Sequence, residues 1–246
     1  MNGLGIVAAL AAETRALGCA TTSGASPVAL ADGTLLVVTG MGQAAAGHGA
    51  RRLVDAGARA LISWGMAGGL DPALAAGTLL LPREVASPEG ALFLTAADWR
   101  EHLGSALAAS HSVCCGKLLT CHTAIGSAAD KALAFRQTAA VAVDMESLAV
   151  AEVAAKCRLP FLAVRAIVDT AADEVPRALV AAAATGANRV PLGRLIGALA
   201  RTPADIVPVL RLARRFRAAS RALAAAAASG ALVPPVVHAS AAGGRQ

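Results

Sequence analysis

The chain has 246 residues, enough for one large α/β domain with a buried core and no need of a second. Hydrophobic residues make up 56% of it and aromatics 2%, so alanine, valine and leucine must build that core, and few rings are left to stack on a ligand. The net charge of +6 is uneven: residues 1–175 hold 12 basic and 15 acidic side chains, while residues 176–246 hold ten arginines against the single acid Asp205, which separates the acidic chemistry from the basic segment.

In chain order, Gly5–Leu10, Thr34–Thr39 and Ala60–Trp64 read as short apolar strands. Between the last two, Ala44–Ala56 has a helical pattern, with alanines and Leu53 on one face and Arg51, Arg52 and Asp55 on the other. Ala60–Leu81 holds one charge, Asp71, and is hydropathic enough to suggest a membrane span, but Gly65, Gly68, Gly69 and Pro72 break it. Two buried strands joined by a tight glycine turn, the second at Thr78–Leu81, fit it better. Ser112–Cys121 reads as a further strand. Ala139–Val143 is a strand running into a helix from about Met145 to Lys156, and Phe161–Val168 is a strand ending at Asp169. Alternating strands and helices predict a three-layer αβα sandwich around a mixed, mainly parallel sheet. Ligands of such sheets sit beyond the carboxyl ends of the strands.

The division expected is a catalytic domain over 1–200, a basic amphipathic helical extension over 201–230, and a disordered tail over 231–246, rich in Ala, Ser and Gly. In the extension, Ile206, Val209, Leu210, Ala213 and Phe216 recur at helical spacing, with Arg211, Arg214, Arg215 and Arg221 mostly off that stripe. Such a helix suits either an anionic membrane surface or packing on the domain with a solvated basic face. Aromatic interleaving and a DNA-binding motif are both missing, so nucleic acid is not an expected partner.

Cys19, Cys114, Cys115, Cys121 and Cys157 form no CxxC pair and no zinc spacing, which reads as a reduced cytoplasmic protein without a metal or other cofactor. The N-terminus has no basic n-region and holds Glu13 within its first apolar stretch, unlike a secretory signal.

Three acids stand at strand ends: Glu13, Glu146 in Val141-Ala142-Val143-Asp144-Met145-Glu146-Ser147, and Asp169 after Val164-Arg165-Ala166-Ile167-Val168. Cleaving an N-glycosidic bond uses three such groups: one to activate water, one to grip the ribose hydroxyls, one to protonate the departing base. Each acid alone also has a structural reading, as a first-turn helix acid, an N-cap or a partner of Arg165. The Gly65-Met66-Ala67-Gly68-Gly69 segment lets backbone amides approach a ligand.

Together, a strand then Glu, a strand then GxAGG, a strand then V-D-M-E and a strand then V-R-A-I-x-D resemble the nucleoside phosphorylase/hydrolase superfamily, from Gly5 to about Asp173. The likeness is nearest to its methylthioadenosine/S-adenosylhomocysteine nucleosidase-like branch. The resemblance implies Glu13 as general base, Glu146 as the ribose ligand, Met145 packing on the nucleoside, and Asp169 as the acid for purine N7. Gly68, Ile125 and Val143 are the further substrate contacts it implies, and a homo-oligomer, a dimer or larger, is common in the family. An N7 acid must stay protonated near neutral pH, hence a raised pKa, for which Ile167 and Val168 would supply apolar surroundings. Arg165 works against this and is assigned to structure.

The chain departs from the pattern at Met66, where a small hydroxyl residue is usual, at Val168, where serine is usual, and at Ala124 in His122-Thr123-Ala124-Ile125-Gly126, the place of the stacking aromatic. Trp64 is a weak substitute and His122 an outside candidate for the site. The early Gly–Arg phosphate motif is missing, and Arg51 and Arg83 are the nearby cations, which favours water over phosphate.

The basic segment, with Asp169-Thr170-Ala171-Ala172-Asp173-Glu174-Val175-Pro176, resembles the hopanoid-associated members, linked to release of adenine from adenosylhopane to give ribosylhopane. That resemblance implies a site on the inner face of the cytoplasmic membrane. A phosphorylase, a methylthioadenosine/S-adenosylhomocysteine nucleosidase, and an inactive nucleoside-binding or membrane-associated protein remain open. A redox dinucleotide enzyme does not fit, since no GxGxxG follows the first strand.

Overall fold

A computed structural model of the chain describes residues 3–19, 24–175, 180 and 206–235. The strands are β1 (Leu4–Ala8), β2 (Gly24–Ala29), β3 (Leu35–Val38), β4 (Ala60–Gly69), β5 (Leu79–Leu80), β6 (Glu84–Ala86), β7 (Leu92–Leu94), β8 (Val113–Cys114), β9 (Lys117–Thr120), β10 (Ala140–Asp144) and β11 (Phe161–Asp169). The helices are α1 (Ala11–Thr14), followed by a 3-10 turn over Arg15–Leu17, then α2 (Gln43–Asp55), α3 (Ala97–Leu107), α4 (Ala128–Thr138), α5 (Ser147–Lys156) and α6 (Ile206–Ala228).

All strands join one sheet, in the order β2-β3-β1-β4-β10-β9-β6-β7, with β11 beside β4 and β5, and β8 beside β5. The long central strand β4 is parallel to β1 and β11, while its last residues pair antiparallel with β10, Gly68 against Val143. The sheet is therefore mixed and mainly parallel.

Alternation along the strands divides the core between two faces. Val7, Leu61 and Ala163 pack with Ala46, Ala50 and Leu53 of α2 and Val150 of α5. Ile6, Ile62, Trp64 and Val164 pack on the opposite face with Trp99 and Leu103 of α3 and Ala219, Leu223 and Ala226 of α6. This is the expected three-layer arrangement, with alanines permitting close approach of helix to sheet.

Several details differ from expectation. The Gly65–Gly69 segment is not a turn but the end of β4, because Gly68 and Gly69 pair with β10; the chain bends instead at Asp71-Pro72. Ser112–Cys121 is two short strands, β8 and β9, separated at Cys115-Gly116, where Gly116 packs so tightly that a Cβ on it would lie 2.6 Å from Val141 Cγ1. The helix after β10 starts at Ser147, with Glu146 as its N-cap and Met145 outside it.

At the C-terminus, α6 lays Ala219, Ala222, Leu223 and Ala226 on the domain and leaves Arg211, Arg214, Arg217 and Arg221 exposed. Ala213, assigned to the apolar stripe, is exposed as well. Ala231–Pro235 is not loose tail: Ala231 is buried and the Leu232 carbonyl accepts a 3.0 Å bond from Trp99 Nε1. The rest of the expected tail, 236–246, and the expected domain end near 200 lie outside the described residues. No helix among the described residues is long and apolar enough to cross a membrane; the hydropathic stretch from Ala60 to Leu81 contains β4 and β5.

Candidate active site

At the carboxyl end of the central strands lies a cavity of about 220 Å³. Glu13, Gly68, Ile125, Val143, Met145, Glu146 and Asp169, the residues implied by the resemblance, all line it.

Glu13 is the third residue past the Leu10 N-cap and reaches back to it, Oε2 accepting from the Leu10 amide at 2.9 Å, as in the second half of a capping box. Its Oε1 accepts from the Met66 amide of β4 at 3.0 Å. Burial raises its pKa, opposed by the Arg165 charge and by the amides of Leu10, Met66 and Ala9. Trp64 lies under this turn in the core, its Nε1 donating to the Glu13 carbonyl at 3.1 Å; it supports the turn and does not line the cavity.

Glu146 Oε1 accepts from the Gly42 amide at 2.8 Å, and Oε2 from Met145 at 3.3 Å. Gly42 has φ +100°, a conformation open to glycine, and so presents its N–H to the carboxylate from the start of α2. Burial and then the Asp144 charge push Glu146 up to about 7, against Arg165 and the Gly42 amide.

Asp144, two residues earlier, belongs to a different network. Its Oδ2 accepts from Arg165 Nε at 2.9 Å and Nη2 at 2.7 Å, and its Oδ1 from Thr120 Oγ1 at 2.6 Å. Arg165 Nη2 also reaches Ser63 Oγ at 2.6 Å and Ser147 Oγ at 2.9 Å. Arg165 is therefore structural, as expected, yet its charge acts on both Glu13 and Glu146. Its Nη1 is buried without a hydrogen-bond partner among the described residues.

Asp169 ends β11 beside Gly68, where an added Cβ would stand 3.2 Å from Asp169 Oδ2. Burial raises its pKa, the expected direction, but a group not anticipated opposes it: Lys131 of α4, fully buried and hydrogen-bonded to Oδ2. A lysine in a short helix reads as solvated, and nothing in the sequence links it to a residue 38 positions away. Val168 lines the cavity as expected; Ile167 does not, because it alternates to the other face and packs in the core.

The remaining candidates fall outside. His122 is near the surface, its Nδ1 3.4 Å from Gln43 Nε2, and Arg51 and Arg83 are exposed and do not line the cavity. Ala124 and Met66 do line it, joined by Met41, Leu10, Val175 and Val180, which were not singled out from sequence. No aromatic side chain and no cation lines it among the described residues. The arrangement offers buried carboxyl groups on apolar walls, suited to gripping a neutral polar ligand and moving protons to and from it.

A family model described as the phosphorylase superfamily matches residues 29–195. No curated protein matches the chain. Among solved structures, the 5′-methylthioadenosine/S-adenosylhomocysteine nucleosidase of Neisseria meningitidis in complex with methylthio-immucillin-A is similar at TM-score 0.68 and 18% identity, over 92% of this chain and 96% of that one. The futalosine hydrolase of Helicobacter pylori strain 26695 is similar at 0.64 and 15%, over 91% and 96%. The Helicobacter pylori nucleosidase with butyl-thio-DADMe-Immucillin-A is similar at 0.62 and 16%, over 75% and 92%. At these identities the likeness is one of fold.

Proposed function

Since the chain belongs to the phosphorylase superfamily, we propose that it cleaves the N-glycosidic bond of a purine nucleoside, with water as nucleophile. The observation that carries this is the convergence of Glu13, Glu146 and Asp169 on one cavity, from positions far apart in the chain.

Glu13, held by two amides, takes the proton of the attacking water. Glu146 accepts hydrogen bonds from the ribose hydroxyls, which sharpen as the sugar gains oxocarbenium character. Asp169 delivers a proton to N7 as electrons of the breaking bond flow into the purine. Backbone groups around Gly68, Ile125 and Val143 and the side chain of Met145 hold base and sugar. Water is favoured over phosphate because no cation lines the cavity among the described residues and because Arg51 and Arg83 lie elsewhere.

The narrower proposal is adenosylhopane, converted to ribosylhopane with release of adenine. Its support is the apolar wall of Met41, Met66, Val168, Val175 and Val180, and the exposed arginines of α6, suited to a peripheral contact with anionic membrane on the cytoplasmic side. A dimer is the assembly proposed. Methylthioadenosine or S-adenosylhomocysteine is the second reading, favoured by the names of the similar structures.

Incubation of the purified protein with adenosylhopane and with methylthioadenosine, with and without phosphate, tests all of this. Phosphate-independent adenine release from adenosylhopane is expected. Release from methylthioadenosine alone would refute the hopanoid substrate, and a phosphate requirement would refute hydrolysis.

A further inference from the structure

Lys131 is the largest unexpected feature of the site. It is fully buried on α4, and its ammonium has three acceptors: Asp169 Oδ2, the Thr170 carbonyl at 2.9 Å and the Asp173 carbonyl at 3.0 Å. Three donors meet three acceptors, and the loop from Asp169 to Asp173 is wrapped around one charge. The same loop is held from its other side, where the Asp173 carboxylate accepts from the Thr170 amide at 2.8 Å and pairs with Arg215 of α6. Asp169 Oδ1 has no hydrogen-bond partner among the described residues, and Asp169 lines the cavity. One oxygen is thus tied down and the other is left for a ligand.

We propose that Lys131 is a positioning residue for the leaving-group acid, clamping Asp169 Oδ2 so that Oδ1 faces the base and governing when Asp169 holds its proton. This rests on the nucleosidase reading given above. The charged groups facing Asp169 are Lys131 from α4, Asp173 from its own loop and Arg215 from α6. In this proposal the contact of the Lys131 ammonium with Oδ2 holds Asp169 as a carboxylate until a ligand binds, against the burial that raises its pKa. Asp169 then takes up a proton from solvent once an apolar ligand displaces the remaining water, passes it to N7, and returns to carboxylate.

The test is a ¹³C NMR titration of the Asp169 carboxyl, assigned with Asp169→Asn, beside the pH profile of kcat/KM for adenine release. Wild type should be ionised at pH 7. Lys131→Met should move the Asp169 midpoint to higher pH, and the alkaline limb of kcat/KM should move with it, while Lys131→Arg stays near wild type. A merely structural lysine would lower activity at every pH without moving either. Unmoved midpoints in Lys131→Met, or a wild-type Asp169 still protonated at pH 7, would overturn the proposal; the second result needs no variant to fold. If no nucleoside releases adenine, the nucleosidase reading fails, and the titration still decides whether Lys131 controls Asp169.

Discussion

Glu13 and Met66 are joined across 53 residues by one hydrogen bond, Oε1 of the first accepting the amide of the second at 3.0 Å. The bond ties the short helix after β1 to the end of β4, so the strand that borders Asp169 at Gly68 also sets the place of Glu13. Replacing Glu13 by Gln keeps an acceptor and the side-chain volume but removes the proposed base. Glu13→Gln is expected to lower kcat for adenine release about 10³-fold, the scale of general-base catalysis, with little change in KM. An unchanged kcat would remove Glu13 from the chemistry.

Gly65 precedes that amide, and a Cβ built there would stand 2.5 Å from Glu13 Oε1. The carboxylate is held by two amides and must leave at least one of them to make room. Gly65→Ala should therefore cost about 10²-fold in kcat through displacement of the Glu13 carboxylate by about an ångström. Gly65 has φ +157°, which L side chains rarely adopt, so Tm should fall as well, and kinetics measured well below the lowered Tm should still show the loss of activity.

Glu146 couples the site to folding stability. Its folded-state pKa of about 7 lies above the ordinary 4.5, so the folded protein binds more protons between those values. The contribution is complete below pH 4.5 and is lost as pH rises through about 7. Glu146→Gln lacks it. Relative to that variant, wild type should lose about 3 kcal/mol of unfolding free energy between pH 4.5 and 8, an order-of-magnitude figure. Urea denaturation of both proteins at the two pH values measures it, and parallel pH dependence would show that Glu146 is not strained by its burial.

The strands and the three acids were legible because apolar runs end at the residues that line the cavity, as parallel sheets require. The glycine segment misled for a local reason: Gly65, Gly68 and Gly69 look like a turn, but their missing side chains make room for Glu13 and Asp169 beside a strand. Asp144 and Glu146 look alike in sequence and both line the cavity, but only the position of Arg165 ties up the first in a buried ion pair, while the second is held by the Gly42 amide. Lys131 was illegible because its acceptors are assembled by the tertiary fold: the end of β11 supplies the carboxylate and the loop after it the two carbonyls.

Ala124 gives the last prediction. It lines the cavity beside Ile125, at the place where the family resemblance puts a stacking ring, and no aromatic replaces it among the described residues. Without a ring, a small nucleoside loses the face-on contact that an aromatic would add, worth about 1 kcal/mol beyond area burial. A nucleoside with a large apolar 5′ group is less affected, because its hydrocarbon contributes binding against Met41, Met66 and Val175. Ala124→Phe should therefore lower KM for methylthioadenosine about fivefold, the equivalent of that 1 kcal/mol. The same variant should leave adenosylhopane unchanged or bind it worse, since the ring fills part of a cavity of about 220 Å³. Steady-state kinetics on both substrates separates the two effects. Equal gains for both would mean that the hydrocarbon does not supply the binding attributed to it, and the case for a lipid nucleoside would weaken with it.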